Sequence, residues 1–173
     1  PEAFHEITSK INRNVIDKDK EINDFIEPID AALKAAGFRF EIKKRVKTPY
    51  SIWNKMNNKG VEFDQIYDLY AVRIIFDADN GSGETERDQC YHIFSIITSL
   101  YRYKSDRVRD WVNYPKNNGY EALHCTLMSH TGIWIEVQIR SQRMNEIAEK
   151  GIAAHWAYKK DGFAEGNESE MDK

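Results

Sequence analysis

The chain has 173 residues, of which 41% are hydrophobic and 12% aromatic, and its formal net charge is −3. This length suits one domain with its own core, and no apolar run is long enough to cross a bilayer. The N-terminus lacks the charged and apolar segments of a signal peptide, so we expect a cytoplasmic protein with no membrane partner. Cys90 and Cys125 fall in apolar segments and are predicted to be buried free thiols.

Charge is distributed unevenly along the chain. Residues 37–59 carry seven Lys or Arg and one Glu, and residues 102–116 carry five basic and two acidic residues. Residues 161–173 carry five acids and one Lys. Two basic segments on an acidic chain predict a localised anion site and not a general polyanion-binding surface.

The first predicted elements are helical. Apolar residues recur near helical spacing through residues 4–36, while Pro28 predicts a break and a second helix, and Gly37 predicts its end. Apolar and charged residues alternate over residues 38–46 and predict a strand. A short helix is expected from Thr48-Pro49 to about Met56.

The rest of the chain alternates between strands and helices. Residues 66–76 predict a buried strand, residues 77–87 a polar loop, and residues 90–101 an amphipathic helix. Strands are expected at about 107–113, 121–129 and 132–140, followed by a last helix that Ser141 caps. These elements predict an α+β fold with a mixed sheet flanked by helices. The expected divisions are a helical segment over 1–36, a catalytic domain over 37–160 and a disordered acidic tail over 161–173.

Two carboxylates in strands suggest a metal site. Asp68 opens a predicted buried strand, and Glu136 shares the polar face of its strand with Gln138, because side chains alternate along a strand. Carboxylate oxygens are the ligands that Mg²⁺ prefers beside substrate phosphates. The alternative at each position is a surface acid, and the neighbouring basic segments favour the metal site.

Two basic constellations surround these acids. Arg45 and Lys47 share a strand face, and Ser51 and Lys55 share a helix face, which suits a triphosphate although a solvated basic surface is the common alternative. In the second, an Asn-Gly turn lets the backbone approach a ligand, beside phosphate donors and an aromatic ring. The alternative there is a plain hairpin loop. The residues of the second constellation are Lys116, Asn118, Gly119, Tyr120 and His124.

Five motifs occur in order between Arg45 and Lys159: Arg45-Val-Lys-Thr-Pro-Tyr-Ser-Ile-Trp-Asn-Lys-Met56, Tyr67-Asp-Leu-Tyr-Ala-Val-Arg-Ile-Ile75, Pro115-Lys-Asn-Asn-Gly-Tyr-Glu-Ala-Leu-His124, Glu136-Val-Gln-Ile-Arg140 and Ala148-Glu-Lys-Gly-Ile-Ala-Ala-His-Trp-Ala-Tyr-Lys159. Together they resemble the synthetase domain of the RelA/SpoT family of (p)ppGpp synthetases. The last motif resembles the long, multidomain members. The chain also lacks an initiator Met, so we expect an excised domain whose hydrolase and regulatory regions, and any ribosome contact through them, are absent.

The resemblance implies a nucleotidyltransferase-like fold and transfer of the ATP β,γ-pyrophosphate to the 3′-OH of GDP or GTP. Asp68 and Glu136 would hold Mg²⁺, and Glu136 would also take the proton of the 3′-OH. Tyr120 would stack on guanine. The implied ATP-binding residues are Arg45, Lys47, Ser51 and Lys55, with Arg87 as a second arginine over adenine; the implied acceptor residues are Lys116, Asn118, Gly119, Tyr120, His124, Gln138 and Arg140.

Some residues depart from the family pattern, and other functions stay open. Arg107-Val-Arg-Asp110 resembles the motif of bifunctional members, and Glu121-Ala122 and Cys125 replace the usual neighbours of the acceptor site. One alternative is a domain that senses guanine nucleotides without turnover. A second alternative is an RNA-binding module, suggested by basic residues interleaved with aromatic ones.

Overall fold

The computed structural model describes residues 2–46 and 70–160. None of the helices in these two ranges combines the length and the apolar character that a membrane span requires. A short 3-10 turn, Ser105–Arg107, precedes the third strand. In chain order the elements are α1 (Glu2–Ala35), β1 (Phe40–Val46), β2 (Tyr70–Phe76), α2 (Glu86–Leu100), β3 (Arg109–Asp110), β4 (Leu123–Met128), β5 (Trp134–Ser141) and α3 (Gln142–Lys160).

The predicted break at Pro28 is wrong, because α1 runs through it as one helix. Proline removes one backbone hydrogen bond and costs about 3 kcal/mol inside a helix. Four apolar side chains on both sides of Pro28 are almost fully buried, and each contributes about 1.5–3 kcal/mol, which offsets that cost. These side chains are Ile22, Phe25, Ile29 and Leu33.

The predicted end of α1 at Gly37 is confirmed. Gly37 has a φ of 87°, a conformation that glycine adopts without steric cost. Its N–H donates to the carbonyl of Lys34 at 3.0 Å, and the N–H of Phe38 donates to the carbonyl of Leu33 at 3.1 Å. This pair of bonds satisfies the last carbonyls of the helix and turns the chain into β1.

The described strands form a five-stranded sheet in the order β1-β2-β5-β4-β3. The central strands β2 and β5 are parallel, and the other neighbours are antiparallel. The α+β class with a mixed sheet flanked by helices is therefore confirmed. The pairing also places two strands that are distant in sequence side by side, with Arg73 opposite Gln138.

One face of the sheet is apolar and carries the core. Side chains alternate in β2 and β5, so that Val72, Ile74, Val137 and Ile139 lie on this face and are fully buried. Helices α1 and α2 pack against it, because their buried residues belong to the same hydrophobic cluster. The opposite face carries most of the charged and polar residues of the strands, together with Ala71 and the buried Ile75.

The strand predicted over 107–113 is largely wrong, since β3 contains only Arg109–Asp110. The carboxylate of Asp110 accepts hydrogen bonds from the backbone N–H of Val112 at 3.0 Å and of Asn113 at 2.8 Å. A side chain that captures nearby backbone donors competes with strand pairing. The chain therefore turns directly after Asp110.

The C-terminal elements match their predictions closely. Strands β4 and β5 lie within the expected ranges, except that β5 extends by one residue to Ser141. Ser141 also caps α3 as predicted, because its hydroxyl accepts a hydrogen bond from the N–H of Met144 at 3.2 Å. Cys90 and Cys125 are buried free thiols, and burial raises the pKa of Cys90 to about 12. The helix expected over 48–56, residues 66–69 of the second strand and the tail over 161–173 lie outside the described residues.

Candidate active site

The polar face of the sheet brings predicted site residues from β1, β4 and β5 into two rows. In the first row Arg45, Ala71, Glu136 and Thr126 are consecutive cross-strand neighbours. In the second row the neighbours are Lys43, Arg73, Gln138, His124 and Arg109. The parity predicted for Glu136 and Gln138 is confirmed.

Glu136 lies at the centre of this face, and its side chain is 19% exposed. Its Oε1 accepts a hydrogen bond from Nε2 of Gln138 at 3.0 Å. The amide oxygen of Gln138 in turn accepts from Nε of Arg73 at 3.4 Å. This chain of contacts orients the carboxylate and connects it to a cation on the neighbouring parallel strand.

His124 connects Glu136 to Tyr120. The hydroxyl of Tyr120 lies 2.7 Å from Nε2 of His124, and Nδ1 of His124 lies 3.5 Å from Oε1 of Glu136. Burial lowers the pKa of His124 to about 4, and nearby cations add to this effect. The carboxylate of Glu136 favours a charged imidazole, but burial and the cations outweigh it. The neutral ring therefore accepts from the Tyr120 hydroxyl at Nε2 and directs Nδ1–H towards Glu136. The cations are Lys116, Arg140, Arg73 and Arg109.

Beside Glu136 the polar face forms a cavity of about 330 Å³. Its lining includes four basic residues and one carboxylate, and although the ammonium of Lys44 is paired with Asp19 at 2.8 Å, the other three cations favour an anionic ligand. The volume is at the lower end of the range for small-molecule sites. The charged lining residues are Lys43, Lys44, Arg45, Arg73 and Glu136.

A tight turn from Lys116 to Tyr120 borders the second row. The N–H of Lys116 donates to the carbonyl of Tyr120 at 3.1 Å, and the N–H of Gly119 donates back to the carbonyl of Lys116 at 2.9 Å. The side chain of Asn118 accepts from the N–H of Tyr120 at 3.0 Å. Gly119 has a φ of 85°, which explains why glycine occupies the turn.

Two cations face the ring of Tyr120. The ammonium of Lys116 lies 5.5 Å from its centroid, and the guanidinium carbon of Arg140 lies 5.9 Å from it. Arg140 is only 3% exposed, and its Nε has no hydrogen-bond partner among the described residues. Burial lowers the pKa of Arg140 and raises that of Tyr120, so the tyrosine hydroxyl keeps its proton.

Five predicted site residues have no described contact with this cluster, four of them because they lie outside the described ranges. Lys47, Ser51, Lys55 and Asp68 lie outside the described residues, so the expected convergence of Asp68 with Glu136 stays a prediction. Arg87 lies in the first turn of α2, where its Nε is 3.7 Å from Oδ1 of Asp88. Because α2 packs on the apolar face, no described contact links Arg87 to the polar face.

Three residues of the polar face were not assigned to the site from the sequence: Arg73, Lys43 and Arg109. Arg73 stands alone among apolar residues in β2, and its odd position places it on the face opposite Val72 and Ile74. The same alternation applied to β2 could have identified it. Arg109 belongs to the motif Arg107-Val-Arg-Asp110, which the sequence analysis noted but did not assign to the site.

The described residues offer few ligands for Mg²⁺. Among the described residues no group of three or more His, Cys, Asp or Glu side chains could hold a metal ion. Glu136 does offer a partly exposed carboxylate next to the basic cavity. Because Mg²⁺ is often bound by one or two carboxylates together with substrate phosphates, this residue fits the ion in a substrate complex.

Comparison with known proteins identifies the family. The family model described as a region found in RelA / SpoT proteins matches residues 44–163. The chain belongs to the RelA/SpoT family. The resemblance inferred from the five motifs is thereby confirmed.

Curated RelA/SpoT relatives extend the similarity over the whole chain. A GTP pyrophosphokinase from Photobacterium angustum is 35% identical over 173 residues, which is 100% of this chain and 22% of the relative. A GTP pyrophosphokinase from Escherichia coli K12 is 36% identical over 170 residues, 98% of this chain and 22% of the relative. The chain thus spans about a fifth of the length of these relatives.

Solved structures support the fold. Small alarmone synthetase 1 from Bacillus subtilis, bound to its product pppGpp, has a TM-score of 0.66 at 17% identity and covers 95% of this chain and 92% of its own. Small alarmone synthetase 2 from the same organism has a TM-score of 0.61 at 21% identity and covers 89% of this chain and 84% of its own. The nucleotidyltransferase-like fold implied by the motifs is confirmed.

Proposed function

We propose that this chain is a (p)ppGpp synthetase domain, which transfers the β,γ-pyrophosphate of ATP to the 3′-OH of GDP or GTP. The observation that carries the proposal is the position of Glu136, between a basic cavity on one side and the His124–Tyr120 pair on the other. A donor and an acceptor nucleotide bound on these two sides meet at the carboxylate. Family membership supports the same activity.

In this proposal the basic cavity binds the donor. Lys43, Arg45 and Arg73 neutralise the phosphates of ATP, and Arg45 is also suited to stack on the adenine. Lys47, Ser51 and Lys55 continue this ATP site, as the first motif implies. Transfer of a phosphoryl-type group needs alignment and charge neutralisation more than covalent chemistry by the protein.

The acceptor binds on the Tyr120 side. Guanine stacks on the Tyr120 ring, and Lys116, Asn118 and the Gly119 turn approach its base and phosphates. The buried guanidinium of Arg140 supplies a positive charge next to the same ring. Gln138 fixes the orientation of Glu136 between the two substrates.

The reaction then requires one proton transfer. The 3′-oxygen of the acceptor forms a bond to the β-phosphorus of ATP, the bond from that phosphorus to the α–β bridging oxygen breaks, and AMP leaves. Glu136 accepts the proton of the 3′-OH. Nδ1–H of the neutral His124 keeps the carboxylate in place without taking its charge. Mg²⁺ held by Glu136 and Asp68 would add positive charge at the donor phosphates.

We further propose that this domain belongs to a longer protein with hydrolase and regulatory regions, because it matches only about a fifth of the length of its relatives. Any contact with the ribosome would be made through those regions. The nucleotide substrates favour the cytoplasm as the compartment.

The proposal is tested by incubating the chain with ATP, GDP or GTP, and Mg²⁺, and by separating the nucleotides. AMP and a 3′-pyrophosphorylated guanine nucleotide should form in equal amounts. Glu136→Gln should lower kcat at least about 100-fold, because it removes the general base. Glu27→Gln, on an exposed position of α1, is the control and should leave the rate unchanged.

Two results would redirect the proposal. If wild type binds GDP or ATP by calorimetry but forms no product, and Glu136→Gln leaves binding intact, the domain senses nucleotides without turnover. If the chain instead binds RNA with a steep dependence on salt and forms no product, it is an RNA-binding module.

A further inference from the structure

Lys116 lies between two aromatic rings. Its ammonium is 4.9 Å from the centroid of Trp111 and 5.5 Å from that of Tyr120. Tryptophan is the aromatic side chain that attracts a cation most strongly. Among the described residues no carboxylate lies within ion-pairing distance of this ammonium, so the two rings are its defined partners there.

The backbone around Trp111 is held from three directions. The carboxylate of Asp110 accepts from the hydroxyl of Tyr91 at 2.5 Å as well as from the two backbone donors of the turn. The N–H of Trp111 itself donates to the carbonyl of Ala122 at 2.9 Å. The Asp110 contact connects this turn to α2, and the Ala122 contact connects it to the segment entering β4. The indole therefore projects from an anchored backbone.

The position of Lys116 matters because Tyr120 is the proposed stacking partner of guanine. A base that stacks on Tyr120 meets the ammonium on the ring face or at its edge, because only 5.5 Å separates the ammonium from the ring centroid. Without a second partner the flexible lysine chain would carry this charge into solvent. Trp111 offers that partner and keeps the ammonium beside the base and its acceptor atoms.

We propose that Trp111 is a positioning residue for the guanine nucleotide, and that it acts by holding the Lys116 ammonium beside the Tyr120 ring. The inference rests on the proposed function and extends it to a residue with no assigned role. Trp111 acts through Lys116 and does not touch the reacting atoms.

Steady-state kinetics of Trp111→Leu provide the first test. The variant should raise KM for GDP about fivefold, the equivalent of about 1 kcal/mol for a partly exposed cation–π contact, while kcat and KM for ATP stay unchanged. Trp111→Phe keeps an aromatic face and should change KM for GDP no more than about twofold. An unchanged KM for GDP in Trp111→Leu would overturn the inference.

A double-mutant cycle separates positioning from a merely structural effect. In a Lys116→Gln background Trp111→Leu should cause no further increase in KM for GDP, because the cation it holds is gone. An equal increase in both backgrounds would show that Trp111 does not act through Lys116.

A measurement on wild type keeps the inference testable if Trp111→Leu does not fold. In the NMR spectrum the side-chain methylene protons of Lys116, assigned with Lys116→Gln, should be shifted upfield by ring currents and should move when GDP is added. Shifts equal to those of an exposed lysine would overturn the inference. If wild type neither forms product nor binds GDP, the proposed function itself is wrong.

Discussion

Acidification should destabilise the protein through His124, whose imidazole is neutral in the folded state. Its pKa falls from 6.5 to about 4, mainly because of burial, and its side chain is 18% exposed. The unfolded chain therefore binds more protons than the folded chain between pH 6.5 and about pH 4. The stability contributed by the neutral ring is fully present above pH 6.5 and is lost as the pH falls through this window.

The magnitude follows from the two pKa values. Full protonation would cost about 3 kcal/mol, and at pH 5 about 2 kcal/mol is lost relative to pH 8. For a domain of this length a loss of 1 kcal/mol lowers Tm by about 2–4 °C. His124 should therefore lower Tm by about 4–8 °C between pH 8 and pH 5.

Thermal unfolding of wild type and His124→Gln at both pH values isolates this effect. Carboxylates titrate in both proteins, so the difference between their two Tm changes reports His124. The variant should lose about 4–8 °C less than wild type on acidification. The reasoning is refuted if both proteins respond equally, or if an NMR titration places the midpoint of His124 near 6.5.

Two further predictions concern charges around the site. Arg73→Gln should weaken ATP binding about tenfold in calorimetry, because it removes one cation from the cavity that Glu136 borders. Arg102→Gln, at an exposed position outside that lining, should leave ATP binding unchanged. An equal loss of affinity in both variants would show that only the net charge matters. Arg143→Ala should lower Tm by about 2–4 °C, because Arg143 forms ion pairs with Glu86 at 2.7 Å and with Glu121 at 2.9 Å. The side chain of Arg143 is half-exposed, which limits the contribution of these ion pairs to about 1 kcal/mol. An unchanged Tm would contradict a stabilising role.

The sequence predicted those parts of the fold that follow from periodicity and local capping. Alternation in β5 was sufficient to place Glu136 and Gln138 on one face, and Gly37 and Ser141 marked a helix end and a helix start. Pro28 misled the prediction because its local cost is overcome by long-range burial that no short window of sequence contains. The 107–113 segment failed for the opposite reason, since a single side chain, Asp110, ends the strand.

Site contacts between residues close in sequence could be predicted from the motifs, whereas contacts that depend on strand pairing could not. Lys116, Tyr120 and His124 stand close in sequence, and their contacts follow from one turn and one strand. Arg73 reaches Gln138 only because β2 and β5 pair in parallel across 65 residues of sequence, and this pairing is not readable from either strand alone. The partnership of Trp111 with Lys116 likewise depends on where the chain turns after Asp110.

The alternation of β5 has a consequence for how this domain can change. Glu136 and Val137 are adjacent, and one lies at the site while the other lies in the core. A shift of the strand by a single residue would bury the carboxylate and expose the valine, so the fold would fail together with the chemistry. A shift in the pairing register of β5 therefore cannot inactivate this protein without also unfolding it. An inactive variant that still folds must carry substitutions on the polar face.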